Sequence, residues 1–118
     1  LRTIANLTEI YDRLSAAGIR FIALTIPPRD DVFPDAGSTE WVPHPHLAAR
    51  QTVINDWMRA NVQARWPGAV LVDWAPALAT DAAGTAPNKA LFADWVHMNG
   101  EGARVGGEFV AAAIARLH

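Results

Sequence analysis

An aspartate and a histidine three residues apart, Asp94 and His97, are the residues best suited to acid–base chemistry. An imidazole can take the proton of a nucleophilic hydroxyl, and a carboxylate on its other nitrogen fixes the tautomer and stabilises the imidazolium. A compact loop can place a carboxylate beside an imidazole at this spacing. We expect Asn99 to bond the loop backbone, and the glycines after it to let the chain turn into a helix. The alternative is a polar helix start with a surface histidine, because an isolated Asp-x-x-His often occurs by chance.

Five segments have the hydrophobic patterns of helices or short buried strands. Helical spacing of apolar residues predicts helices over about residues 3–17, 47–66 and 102–117. Short apolar runs predict buried strands over residues 19–26 and 69–72. Because helices alternate with short strands, we expect parallel βαβ units and an α/β fold. The predicted inner faces are Ile4, Leu7, Tyr11 and Leu14, then Val53, Ile54, Trp57, Met58 and Val62, and finally Val105, Phe109, Val110, Ala113, Ile114 and Leu117.

Long loops follow both predicted strands. Residues 27–46 form a proline-rich loop, and residues 74–93 are irregular with a short turn near Ala77. Ligands of open parallel sheets bind outside the carboxyl ends of the strands, so we expect the site in these loops. Loops as long as the first are usually functional or mobile. Two strands that both look buried on two faces make a poor sheet, so we also expect neighbouring strands that this chain does not supply.

Composition excludes several classes of protein. The 118 residues are 51% hydrophobic and 19% charged, which excludes a disordered tail. A net charge of -2 without a dense Lys/Arg run predicts no nucleic-acid partner. The absence of cysteine excludes disulfides, thiolate zinc sites and a cysteine nucleophile. No apolar run reaches the roughly 18–20 residues of a membrane span. We expect no cofactor, and the sequence does not indicate a compartment.

The stretch Asp-Trp-Val-His-Met-Asn-Gly-Glu-Gly at residues 94–102 fits the pattern D-x-x-H-x-N-x-x-G before an amphipathic helix. It resembles the last conserved block of the SGNH (GDSL) hydrolase family. Upstream, LSAAGIRFIALTIPP and LVDWAPAL resemble that family's later half, so the resemblance covers essentially all 118 residues. It implies a parallel-sheet, three-layer α/β/α fold of flavodoxin-like type, with residues 1–118 as the C-terminal part of a single domain. In that family the block supplies the catalytic Asp and the His general base, which correspond to Asp94 and His97.

The family's nucleophile and oxyanion donors have no counterpart here. The nucleophile is a serine in a Gly-Asp-Ser block, and the oxyanion hole also uses a glycine from a second block and an asparagine from a G-x-N-D block. Ser15 lies at a predicted helix end and Ser38 in a loop, and neither has a nucleophile-elbow pattern. Asn6 and Asn55 lie in helical segments. Since the chain also starts without Met, we expect an N-terminal half or companion chain to supply the serine, and this chain alone to be inactive.

Four other side chains are weaker candidates for lining the substrate or supporting the loop: Asn99, Trp95, Trp41 and His44. Trp95 either shapes an acyl pocket or packs under the loop. His44 and His46 could be a metal pair, but they lack a third ligand at a clear spacing, so we expect no metal. Asp73 could be a second carboxylate of the site, although a loop-start or capping role is the simpler expectation.

The expected function is that of a carboxylic ester hydrolase, resembling esterases and lipases, with an acyl-enzyme intermediate on a serine from elsewhere. The substrate would be a small-molecule, carbohydrate or lipid ester. If another acceptor replaces water, the same machinery is an O-acyltransferase, because fold and triad do not determine the acceptor. The alternative of a different class is a non-catalytic α/β binding module that keeps the loop for structure only.

Overall fold

The computed structural model describes residues 1–117, which form an α/β domain with helices around a small parallel sheet. Two short 3₁₀ helices, Ala75–Leu78 and Lys89–Leu91, lie between the last strand and the last helix. No helix among the described residues has the length and apolar character needed to cross a membrane. The longer elements in chain order are α1 (Arg2–Ala16), β1 (Phe21–Leu24), β2 (Val32–Pro34), β3 (Trp41–Pro43), α2 (Leu47–Arg65), β4 (Ala69–Val72) and α3 (Gly100–Arg116).

Strands β1 and β4 pair in parallel, with Phe21 opposite Ala69 and Leu24 opposite Val72. The expected parallel pairing is therefore confirmed. The amides of Phe21 and Thr25 donate to carbonyls at the two ends of β4. In a parallel ladder, alternate residues bond to the same neighbour, so the amides of Ile22 and Leu24 point away from β4. Within residues 1–117 no strand pairs with that outer edge of β1.

Alternate residues of the two strands join different hydrophobic clusters, because successive side chains of a strand point to opposite faces. On one face, Phe21, Ala23 and Ala69 pack with side chains of α1 and α2, including Tyr11 and Met58. On the other face the cluster contains an α3 residue, and its members include Ile22, Leu24, Val70, Val72 and Ala113. Helices thus cover both faces of the pair, as a parallel sheet requires.

Helix α1 ends in a Schellman motif at Gly18. The Ile19 amide donates to the Leu14 carbonyl, and the Gly18 amide donates to Ser15. Gly18 has a φ of +70°, a conformation that costs little only for glycine. The predicted strand over residues 19–26 is therefore too long at its start: Ile19 belongs to the cap and is 52% exposed.

Amide side chains of α2 hold the segment that follows β1. Asn55, only 1% exposed, accepts from the Ile26 amide (2.7 Å) and donates to the Ile26 carbonyl (3.0 Å). Gln51 donates to the same carbonyl and to the carbonyl of Gly84, at 3.0 and 2.8 Å. Because side chains satisfy these backbone groups, the strand ends at Leu24 rather than continuing to Ile26.

The prediction of a single irregular loop over residues 27–46 is wrong. Strands β2 and β3 form an antiparallel hairpin within it, in which Phe33 lies opposite Val42. Each strand is only three residues long. Prolines at the ends of both strands obscure the alternation of apolar and polar residues that would predict such short strands.

The predicted inner faces of the later helices are partly wrong. Phe109 and Ile114 of α3 are 41% and 46% exposed, and Val53 of α2 is 50% exposed. These helices pack against only two strands, so the apolar stripe of each helix is wider than the surface that covers it. Helix α3 also begins at Gly100 rather than at residue 102.

Candidate active site

The carboxylate of Asp94 accepts three hydrogen bonds within its own loop. Its Oδ1 atom accepts from the amides of Val96 (2.8 Å) and His97 (2.7 Å). Its Oδ2 atom lies 2.8 Å from Nδ1 of the His97 ring. An Asx turn thus brings the predicted pair together without any contact from a distant element.

These contacts hold the pKa of Asp94 well below its ordinary value of 3.8, at about 2. The largest cause is the backbone hydrogen bond from His97, followed by that from Val96 and then the bond from the His97 ring. All three favour the charged form of the carboxyl group. Asp94 is therefore an ionised acceptor at neutral pH.

An ionised carboxylate only accepts hydrogen bonds, so Nδ1 of His97 carries the hydrogen that points to Asp94. In the neutral ring, Nε2 then holds the free lone pair. Among residues 1–117, no side chain or backbone group hydrogen-bonds to Nε2, and the side chain is 77% exposed. The pair therefore holds the imidazole in a fixed orientation and leaves its basic atom, Nε2, open to solvent.

Backbone contacts close the loop that carries the pair. Phe92 and Met98 form an antiparallel bridge, and the Ala93 amide donates to the His97 carbonyl at 2.8 Å. Asn99 caps α3, since its Oδ1 accepts from the Gly102 amide at 3.0 Å. The Nδ2 of Asn99 donates to the carbonyl of Ala90 at 2.8 Å. Asn99 therefore supports the loop.

The start of α3 approaches the preceding 3₁₀ helix too closely for a side chain. A Cβ atom at Gly102 would lie 2.1 Å from the carbonyl oxygen of Leu91. The same oxygen accepts from the Asn99 amide at 2.9 Å. Gly102 therefore allows Asn99 and the Asp94–His97 loop to sit directly on Leu91.

Three aromatic rings join the β2–β3 hairpin to the Asp94–His97 loop. Phe33 stacks on His44 with a centroid distance of 3.8 Å and on Trp95 with a distance of 4.2 Å. Two parallel rings this close cannot share one face of Phe33, so Phe33 lies between them. The Asp30 amide also donates to the Trp95 carbonyl at 2.9 Å. One face of the Trp95 ring thus packs against the hairpin.

His44 has structural partners within the hairpin. Its Nε2 atom lies 3.2 Å from the carbonyl oxygen of Phe33 and 3.4 Å from Oδ1 of Asp35. His46 precedes α2 as its N-cap residue, without a capping side-chain bond. Among the described residues, no group of three or more His, Cys, Asp or Glu side chains is arranged to hold a metal ion.

Neither serine of the chain contacts His97. Ser15 lies at the carboxyl end of α1, which leads into the amino end of β1, whereas α3 begins at the opposite end of the sheet. Ser38 lies in the hairpin turn, where its hydroxyl accepts from the Glu40 amide at 3.1 Å. Both hydroxyls are therefore remote from the imidazole or engaged in local structure.

Asp73 belongs to a structural ion pair. Arg59 donates to both of its carboxylate oxygens, at 2.8 and 3.0 Å, and these bonds raise the pKa of the Arg59 guanidinium. The buried Thr25 hydroxyl donates to Asp73 and accepts from the Ala75 amide. This network fastens the end of β4 to β1 and α2, which is a loop-start role rather than a second carboxylate of the site.

Sequence reasoning missed Phe33 and Asp30 as supports of the site. Both lie more than 60 positions before the loop they contact, so no local spacing relates them to it. Only the aromatic character of Phe33 within a proline-rich segment was a signal. Comparison of the chain with protein-family models, with curated proteins and with solved structures finds no match in any of the three.

Proposed function

We propose that this chain is the Asp–His part of a serine ester hydrolase of the SGNH type. The observation that carries the proposal is the 2.8 Å contact between Asp94 Oδ2 and His97 Nδ1, with Nε2 left open. A carboxylate that fixes the imidazole tautomer is the arrangement needed to activate a hydroxyl. The resemblance of residues 94–102 to the family's last block supports the same reading.

In the proposed reaction, His97 exchanges protons at Nε2. As a serine oxygen attacks the ester carbonyl, Nε2 takes the serine proton, and it then gives that proton to the departing alkoxide. Nε2 next deprotonates a water that attacks the acyl-serine, and the serine recovers its proton as the acid leaves. Asp94 holds the ring and stabilises the imidazolium throughout. An alcohol in place of water would make the same cycle an acyl transfer.

The serine and the oxyanion donors come, in this proposal, from an N-terminal half or companion chain beside β1. The outer edge of β1 exposes the Ile22 and Leu24 amides to a further strand. Helices already cover both faces of the pair, so added strands would extend it into a three-layer α/β/α, flavodoxin-like domain. The 77% exposure of His97 leaves space for such a segment to approach the imidazole.

Fluorophosphonate labelling of the natural polypeptide or complex that contains this chain tests the proposal. We expect a labelled serine outside residues 1–118, and we expect His97→Gln to slow labelling about 10²–10⁴-fold. Phe109→Ala, at an exposed position of α3, is the matched control and should leave the rate unchanged. Absence of a labelled serine would instead identify a non-catalytic module, and labelling that does not depend on His97 would show that another residue is the base.

A further inference from the structure

A cleft of about 330 Å³ opens beside Asp94, between the β2–β3 hairpin and the Asp94–His97 loop. Its aromatic lining consists of Trp41 of β3 together with Phe92 and Trp95, which flank Asp94 in the chain. Asp30 and Lys89 also line it, at 3.4 Å from each other. The cleft therefore combines aromatic surface with hydrogen-bonding groups of both charges.

Trp41 is the most exposed aromatic side chain of this cleft. It is 58% exposed, although a tryptophan indole has a large apolar surface that folding normally buries. It lines the cleft from the first residue of β3, where its register partner in the hairpin is Pro34. Phe33 covers one face of Trp95, the Arg29 guanidinium carbon lies 5.0 Å from the centroid of the same ring, and part of Trp95 still lines the cleft. Two flat apolar surfaces thus border one opening.

A second cleft of about 350 Å³ continues from the first, because both share Asp30, Pro87 and Lys89. Arg29 and Asp31 line the second cleft as well. The two cations and two carboxylates of its lining balance one another. Such a lining disfavours a strongly charged ligand of either sign, since each charge would meet a like charge nearby. Repeated ionised groups also disfavour an alkyl chain, which could not satisfy them.

We propose that the joined clefts bind a neutral polyhydroxylated chain, a glycan, with sugar rings against Trp41 and Trp95. The apolar faces of sugar rings pack on indole surfaces, and their hydroxyls donate to Asp30 and accept from Lys89. As the substrate class of the site this rests on the proposed hydrolase function, because the cleft reaches Asp94, the partner of His97. An acyl group on such a chain would then lie near the imidazole.

Isothermal titration calorimetry on the protein that contains this chain tests the proposal without any turnover. The probes are cellohexaose, xylohexaose and mannohexaose, with hexagalacturonate and octanoate as the charged and alkyl comparisons. We expect at least one neutral oligosaccharide to bind with a Kd of about 1 mM or below, and the comparisons to bind more weakly. Trp41→Ala should weaken binding about tenfold or more, whereas Phe109→Ala, also at an exposed aromatic position, should leave it unchanged.

Two variants separate this proposal from the proposed function. His97→Gln should lose fluorophosphonate labelling and keep oligosaccharide binding, whereas Trp41→Ala should lose oligosaccharide binding. Failure of all three neutral probes to bind overturns the glycan cleft, even where labelling succeeds. Tighter binding of octanoate or hexagalacturonate, or binding that survives Trp41→Ala, also overturns it.

Discussion

The two oxygens of Asp94 have separate partners, and this separation explains why the pair forms in an exposed loop. Oδ1 accepts from two backbone amides, and Oδ2 is left for the His97 ring. Exposed ion pairs are usually weak, because solvent competes for both groups. Here two backbone hydrogen bonds already hold the Asp94 carboxylate in its orientation. The His97 ring therefore bonds to a carboxylate that has little conformational freedom left to lose.

We predict that the pKa of Asp94 stays depressed in His97→Ala. The two backbone bonds are its largest causes and survive the substitution, so the pKa should rise only partly from about 2 toward 3.8. Because the folded-state value is the lower one, the carboxylate stabilises the loop above the ordinary value, and this contribution is lost as pH falls through about 2. Carboxyl ¹³C NMR of both proteins across acid pH measures this, and an ordinary Asp94 pKa in the variant would contradict it.

For individual residues, the sequence predicts contacts between near neighbours in the chain well and contacts between residues far apart in the chain poorly. Asp94, His97 and Asn99 lie within six positions, so their spacing alone restricts how they can meet. The stack of Phe33 between His44 and Trp95 depends on how the hairpin packs against a loop from much later in the chain. Nothing in the spacing of those residues encodes that approach.

At the scale of elements, the hairpin and the start of α3 support the Asp94–His97 loop from two sides. The hairpin contributes the Phe33 stack and the Asp30 amide, and α3 contributes the Asn99 cap. The close approach of Gly102 to the Leu91 carbonyl allows the second support. Tertiary packing, rather than helix propensity, therefore places glycine at this position.

We predict that Gly102→Ala lowers the free energy of unfolding by about 1–3 kcal/mol, because its Cβ would overlap the backbone at Leu91. Gly107→Ala is the matched control in the same helix. A Cβ there meets no atom within 4 Å, so alanine should raise the free energy of unfolding by about 0.5–1 kcal/mol. Urea unfolding of both variants is the measurement, and equal effects of the two substitutions would refute the close-packing explanation.

Helices and strands with strong periodicity were predicted at nearly their observed positions, and the short elements were not. The β4 bounds match the prediction, and α2 differs by one residue at its end. The hairpin was missed because its three-residue strands carry too little pattern. Its order depends on Phe33, which stacks on the nearby His44 and on Trp95, 62 positions later in the chain.

At the scale of the molecule, the parallel sheet of the described residues is the pair β1–β4, and the outer edge of β1 has no strand beside it. The radius of gyration is 15.4 Å, compared with about 13.5 Å for an ordinary single domain of this length. The exposed apolar side chain of Ile114, on α3, is consistent with so narrow a sheet. The alternation of helices and strands in the sequence predicts the α/β class. It does not predict how many strands the sheet has, because the apolar pattern of a strand indicates whether that strand is buried and not which strands lie beside it.

Hydrolysis of p-nitrophenyl acetate by the complete protein and by the isolated 118-residue chain tests the central claim most directly. We predict turnover by the complete protein, a fall in kcat/KM of about 10⁴-fold or more in His97→Ala, and only background hydrolysis by the isolated chain. Turnover by the isolated chain that His97→Ala abolishes would show that the nucleophile lies within it. Activity of the complete protein that persists in His97→Ala would contradict the assignment of His97 as the base.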